Sequence, residues 1–328
     1  LRDRLAPDFK LFVVGACGVD LFFAISGFIM VVTTRHHWGR ANIAGDFLLK
    51  RCIRIFPLYW LVTSLKLVSL LIVPDLAQHT ELQLWHTIAS YLLIPAWNSG
   101  GYPFPLLTVG WTLSFEMLFY LAFAAALWGK RSPLLWLTPF FAVFAALYFA
   151  RLNGWGAIFT LFDPIVLEFV MGMWIGWCAL EKRYLTPRGA GLAVIVSLIV
   201  LAATNSVDLN TILPYRTLVW GVPCALILWA AISLEASKGN VRLAFAGLLG
   251  DASYMIYLIQ AFTLPVVCIV LQKLHLPAPW SFVVIAVVSI IVTALVGVIL
   301  HKIVEQPMLD GLRRLCLGAD RQTAAAKS

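Results

Sequence analysis

Gly18-Val-Asp-Leu-Phe-Phe-Ala-Ile-Ser-Gly-Phe28 stays apolar to Val32, and a basic stretch follows it: Arg35, His36, His37, Arg40, Lys50, Arg51 and Arg54. That stretch leads into Ile55-Phe-Pro-Leu-Tyr-Trp60, which opens a second apolar run. Crossing the hydrocarbon core of a bilayer takes about 20 apolar residues in a helix. The reading that decides the fold is therefore two membrane-length helices flanking one cationic turn, with a carboxylate, Asp20, inside the first.

Each part of this stretch has two readings. Arginines at a helix end mark the membrane boundary and bind lipid headgroups. Arg51 and Arg54, however, are spaced i, i+3 and project from one face. A pair of guanidinium forks there suits a phosphorylated ligand such as a coenzyme or nucleotide. Pro57 is expected in the first turn of the following helix, where its missing N–H costs nothing. Asp20 near a helix N-terminus is stabilised by the helix dipole whatever its function.

Working outward, the chain of 328 residues is 61% hydrophobic and 12% charged, against roughly 25% charged in a soluble domain. Its surface must face lipid, and the expected fold class is all-α, a polytopic integral membrane helix bundle. Nine apolar runs are long enough to span, near 15–34, 55–73, 106–129, 134–150, 161–180, 190–204, 213–234, 247–272 and 281–301. The run 84–96 is too short and polar, and reads as an interfacial or re-entrant segment. Residues 1–317 read as one transmembrane domain and 318–328 as a polar, disordered tail. Loops at 35–54, 130–133, 181–189 and 235–246, with 302–328, gather most of the 24 lysines and arginines. Arg2, Arg4, Lys10, Arg151, Arg216 and Lys273 are left on the other side. The positive-inside rule makes the first set cytoplasmic, which puts residues 1–14 outside and the C-terminus inside. The net charge of +8 follows from this topology rather than from nucleic-acid binding. The six cysteines (17, 52, 178, 224, 268, 316) are scattered. They form no C-x-x-C pair or zinc-like cluster, so no metal site is expected.

Few acids lie within or beside the apolar runs: Asp20, Glu116, Asp163, Glu168 and Asp251. A charge at the bilayer centre costs about 2.5–3.5 kcal/mol on insertion scales, so such residues face the bundle interior and act or pair there. Glu116 has Trp111, Ser114, Phe119 and Tyr120 around it on one helix; it is either a functional acid or a tether to a neighbouring helix. Ser114 and Glu116, two apart, do not share a face. Glu168, in Leu167-Glu-Phe-Val-Met-Gly172, reads as a polar tether. Tyr254 and Tyr257 lie i, i+3 on one face, suited either to binding a sugar or to an interfacial aromatic belt. Glu305 before Pro307 reads as a helix stop, pairing with Lys302 or with the Arg51/Arg54 turn. Histidines fall in turns and at ends (His36, His37, His79, His86, His275, His301), none in the middle of a span. The Gly- and Pro-rich segment 97–110 reads as an outer loop at a cavity mouth or as an ordinary connector.

Five blocks in order resemble the membrane-bound acyltransferase 3 family, and within it the exopolysaccharide-production O-acetyltransferases. They are Gly18–Phe28, Arg51-Cys-Ile-Arg-Ile-Phe-Pro-Leu-Tyr-Trp60, Gly110-Trp-Thr-Leu-Ser-Phe-Glu-Met-Leu-Phe-Tyr120, Leu249-Gly-Asp-Ala-Ser-Tyr-Met-Ile-Tyr-Leu258 and Val304-Glu-Gln-Pro307. The resemblance implies a multi-pass bacterial inner-membrane enzyme that moves an acetyl group from acetyl-CoA to a hydroxyl of an exopolysaccharide or lipid-linked glycan precursor. Its implied partners are membrane lipid, the glycan acceptor and polysaccharide-biosynthesis proteins. Arg51 and Arg54 would hold the donor, Glu116 and Asp20 would serve the chemistry, and Trp111, Ser114, Tyr120, Tyr254 and Tyr257 would meet the acceptor. The family begins with a helix carrying an Arg and, ten residues on, the histidine held to be catalytic. No counterpart lies in these residues, so the expectation is one more helix before Leu1, about ten spans in all, with Asp20 orienting that histidine. Gln260 stands where the family commonly has His, and a glutamine cannot exchange a proton. Two readings from other classes compete: a transporter of a lipid-linked sugar or small solute, and an inactive membrane scaffold.

Overall fold

The computed structural model describes residues 14–40, 42–72, 82–130, 132–150, 154–238, 244–273 and 280–317. Residues 1–13, His79, Arg151, His275 and the tail 318–328, on which some expectations rest, lie outside them. The regular structure of the described residues is entirely helical, with no strand among them. Twelve helices carry the architecture: α1 Gly18–Thr34, α2 Ile43–Ile72, α3 Leu84–Tyr91, α4 Trp111–Trp128, α5 Pro133–Ala150, α6 Val166–Leu180, α7 Pro187–Ala203, α8 Val222–Lys238, α9 Ala244–Asp251, α10 Ser253–Gln272, α11 Trp280–Leu300 and α12 Gln306–Leu317. Among the described residues eight helical segments are long and apolar enough to cross a membrane, and α7 is a shorter apolar helix. These nine match the nine apolar runs. Helices prevail because backbone groups in lipid have no water to bond, and only a helix or a closed barrel satisfies them internally.

The chain divides into two compact units: Leu1–Leu48 with Phe115–Val241, and Leu49–Ser114 with Arg242–Ser328. In the first unit α1 lies along α6, their most extensive helix pairing. Glycine makes that approach feasible. A methyl added at Gly27 would land on the Phe169 carbonyl, and one at Gly172 on the Ala24 carbonyl. Close backbone contact through small residues is how helices associate where lipid removes the hydrophobic drive. Around it Phe119 stacks on Phe169 with ring centroids 4.4 Å apart, and Phe23 lies 4.5 Å from Phe169. All three rings are fully buried.

In the second unit α10 packs along α11. The short helix α3, in the segment read as interfacial or re-entrant, is tied to α2 by polar contacts. Tyr59 donates to the Ser90 carbonyl at 2.9 Å, and the Trp60 indole to the Tyr91 carbonyl at 2.8 Å. The loop that follows is anchored by His86, whose Nε2 lies 2.8 Å from the Phe104 carbonyl.

Two expectations about helix ends need correcting. Pro57 lies inside α2, not in its first turn: the helix starts at Ile43 and runs through Arg51 and Arg54. Proline removes the N–H that would bond the carbonyl four residues back, yet a lipid-embedded helix tolerates this when neighbouring groups re-satisfy the freed backbone. Nearby, Tyr254 donates its hydroxyl to the Ile55 carbonyl at 2.9 Å, two residues before the proline, which ties α2 to α10 at this point. Glu305-Gln-Pro307 is likewise no stop. The chain leaves α11, makes a π turn over His301–Glu305 and continues as α12. Pro307 is the second residue of α12, directly after the π turn.

Candidate functional site

Asp20 is fully buried, and its partner is Arg216. The Arg216 Nε donates to Oδ1 at 3.0 Å and Nη2 to Oδ2 at 2.7 Å, a two-point contact. Nη2 also reaches the Ala16 carbonyl at 3.2 Å, and the guanidinium lies 5.2 Å from the centre of the Trp220 ring. Burial favours loss of the guanidinium proton, but the neighbouring carboxylates, Asp20 foremost, together outweigh it and hold Arg216 more firmly charged. Glu168 is the third member of this cluster. It is fully buried beside Asp20 and Arg216, with Oε1 2.7 Å from where a methyl on Gly221 would sit. Gly221 ends the π turn Thr217–Gly221, and any side chain there would displace the carboxyl. Neither Glu168 oxygen makes a hydrogen bond to a described protein group.

Glu116 lies on α4 in the same unit, almost fully buried. The Tyr120 hydroxyl, one turn on, donates to its Oε1. Tyr120 meets the edge of Phe47 with centroids 5.8 Å apart. The pair is a carboxylate fixed by a phenol, which can take or hold a proton.

The remaining site residues belong to the second unit. Trp111 is half-buried and Ser114 buried. Tyr257 donates to the Val109 carbonyl at 2.6 Å, and its hydroxyl also lies 2.6 Å from Thr112 Oγ1. With Tyr254 bonded to Ile55, both tyrosine hydroxyls of the i, i+3 pair meet protein groups on α2 and near the start of α4. Arg54 lines a cavity of about 260 Å³, together with Gly250, Asp251, His301, Glu305, Gln306, Leu309, Asp310 and Arg313. Arg51 is half-buried and is not among the lining residues. His301 Nδ1 lies 2.8 Å from Glu305 Oε2 across the π turn, so Glu305 pairs with His301 rather than with Lys302 or the arginines of α2.

Residues 3–301 match the acyltransferase domain family, Acyl_transf_3. The chain belongs to the acyltransferase 3 family. It is also 36% identical over 304 residues to the exopolysaccharide production protein ExoZ of Rhizobium meliloti (strain 1021), covering 91% of this chain and 90% of that protein. No solved structure matches it. With eight segments able to cross a membrane, this acyltransferase is a multi-pass membrane protein.

Within the acyltransferase, Asp20 and Glu116 fall in one unit, and Arg51, Arg54, Trp111, Ser114, Tyr254 and Tyr257 in the other. Sequence reading missed three contributors. Arg216 sorts with the loop cations by charge, yet it meets Asp20 from 196 residues away; only its place at the start of the apolar run 213–234 hints at a buried role. His301 and Glu305 were treated apart, although their i, i+4 spacing is that of a helical pair. Arg313, in the amphipathic α12, carried no signal.

Proposed function

We propose that this acyltransferase is an O-acetyltransferase of the bacterial inner membrane, acting on an exopolysaccharide or its lipid-linked precursor. The donor is acetyl-CoA, bound on the side where the basic helix ends gather, which we take as cytoplasmic. The observation that carries this reading is the family match over nearly the whole chain, joined to a relative named for exopolysaccharide production. The cavity lined by Arg54 supports the donor side, because guanidinium groups suit phosphates.

In the reaction an acceptor hydroxyl oxygen attacks the thioester carbonyl, the carbon–sulfur bond breaks, and the hydroxyl proton leaves to a base while the thiolate takes one up. Glu116, buried and fixed by Tyr120, is the acid we assign to proton handling. Asp20, held by Arg216, is a positioning residue. Trp111, Ser114, Tyr120, Tyr254 and Tyr257 are the side chains we assign to the acceptor, the half-buried rings of Trp111 and Tyr257 being suited to stacking on sugars.

The experiment is the acetyl-ester content of secreted polysaccharide, measured by proton NMR in a strain lacking this chain and complemented with variants. Wild-type chain should restore the esters. Glu116→Gln should not, while reaching the membrane in normal amount. Full acetylation by Glu116→Gln would reduce Glu116 to a tether. Polysaccharide acetylated equally with and without the chain would overturn the function.

A further inference from the structure

The Arg54 cavity is built from four elements of one unit: Arg54 from α2, Gly250 and Asp251 from the end of α9, His301 and Glu305 from the π turn, and Gln306, Leu309, Asp310 and Arg313 from α12. Two of its cations are uncommitted. Neither Arg54 nor Arg313 makes an ion pair among the described residues, and both are exposed to the cavity side. The third polar group is ordered rather than free. His301, with its side chain 12% exposed, is fixed through Nδ1 by the buried Glu305. That contact commits Nδ1 as a donor to the carboxylate and leaves Nε2 as the ring nitrogen open to a ligand. The widened π turn sets this pair, and π turns inside helices occur most often at functional sites.

We propose that this cavity is the nucleotide-head subsite of the acyl donor, with Arg313 and the Glu305-held His301 contacting its phosphates alongside Arg54. This deepens, and rests on, the acetyl-CoA reading above. Two planar guanidinium groups and an imidazole with a carboxylate behind it form an array for phosphate oxygens. An imidazole that donates from both ring nitrogens can bridge a carboxylate and a phosphate. Asp251 and Asp310, which complete the charged lining, can accept from hydroxyl or amino groups. A nucleotide carries such groups, ribose hydroxyls and a base, beside its phosphates. At about 260 Å³, below the roughly 300–1,000 Å³ of a site that engulfs a drug-sized ligand, the cavity takes the phosphates and only part of the nucleotide.

The test is binding of coenzyme A, dephospho-coenzyme A and pantetheine to the purified full chain, by isothermal titration. Coenzyme A should bind the wild type more tightly than pantetheine. Charge-assisted hydrogen bonds are worth about 1.5–3 kcal/mol, so Arg313→Gln and His301→Gln should each weaken coenzyme A by about tenfold or more. Neither variant should change pantetheine binding, which a general folding defect would also lower. Glu305→Gln should weaken coenzyme A in the same direction as His301→Gln, because the carboxylate orders the imidazole. Coenzyme A affinity that is unchanged in Arg313→Gln and His301→Gln but lost in the Arg51→Gln/Arg54→Gln double variant would overturn this subsite and leave the donor reading standing. A wild-type chain that binds no coenzyme A would overturn both.

Discussion

Replacing either member of the Asp20–Arg216 pair should destabilise the folded protein, and the two replacements should not cost the same. Asp20 is fully buried and Arg216 11% exposed, with donor–acceptor distances of 2.7 to 3.2 Å between them. Breaking a buried ion pair from one side leaves an uncompensated charge and costs about 3–5 kcal/mol. Arg216→Gln leaves the carboxylate of Asp20 with no route to water, so it should fall at the upper end of that range. Asp20→Asn leaves a guanidinium that keeps the Ala16 carbonyl and the face of Trp220 and can hydrate at its exposed edge, so it should fall at the lower end. At roughly 2–4 °C per kcal/mol in a chain of this size or slightly smaller, Arg216→Gln should lower the thermal midpoint in detergent by roughly 10 °C. Asp20→Asn should lower it by about half that. The double variant removes both charges and should recover part of the loss, with a coupling of about 0.5–3 kcal/mol. Tryptophan-fluorescence melting of the four proteins measures all of this. Midpoints within about 1 °C of one another, or strictly additive losses, would refute the view that this pair holds the first unit together. If the double variant recovers stability but not acetylation, Asp20 also acts in positioning.

Other expectations are sharper in direction than in size. Gly172→Ala puts a methyl onto the Ala24 carbonyl and forces α1 from α6, a strain of about 1–3 kcal/mol or more; a melting temperature at or above wild type would show that the helices have room. Tyr254→Phe removes the hydroxyl bonded to Ile55 and should cost about 0.5–1.5 kcal/mol; a melting temperature unchanged by the substitution would show that this bond holds nothing. Tyr120→Phe should reduce acetylation less than Glu116→Gln does, because it removes only the group that fixes the carboxylate; the polysaccharide ester content measures both, and equal losses would make the phenol a reacting group.

The spans were legible because lipid enforces them: a backbone in hydrocarbon must be helical, and hydropathy alone then locates the crossings. The interior of those helices was less so. Pro57 and Pro307 were read by the preference of proline for helix starts and stops in water. The protein instead carries the first inside α2, beside the Tyr254 hydroxyl, and the second past a π turn. The blocks resembling the family located Asp20, Glu116 and Arg54 but not their partners. Glu116 finds Tyr120 one turn away, a spacing visible in the sequence. Asp20 finds Arg216 across 196 residues, a pairing that no local pattern encodes and only the packing of the helices creates. The phosphate-suited character of the Arg54 cavity depends on α12, whose Arg313 is brought there because the chain does not stop at Pro307.

The most direct measurement is transfer itself. Inverted membrane vesicles containing this chain would be given radiolabelled acetyl-CoA, and alkali-labile label would be counted in the lipid-linked and polysaccharide fractions. The account predicts chain-dependent label in a glycan fraction, abolished by Glu116→Gln and reduced by the Arg51→Gln/Arg54→Gln double variant. Equal label in vesicles with and without the chain, or none in any glycan while coenzyme A binds normally, would contradict it.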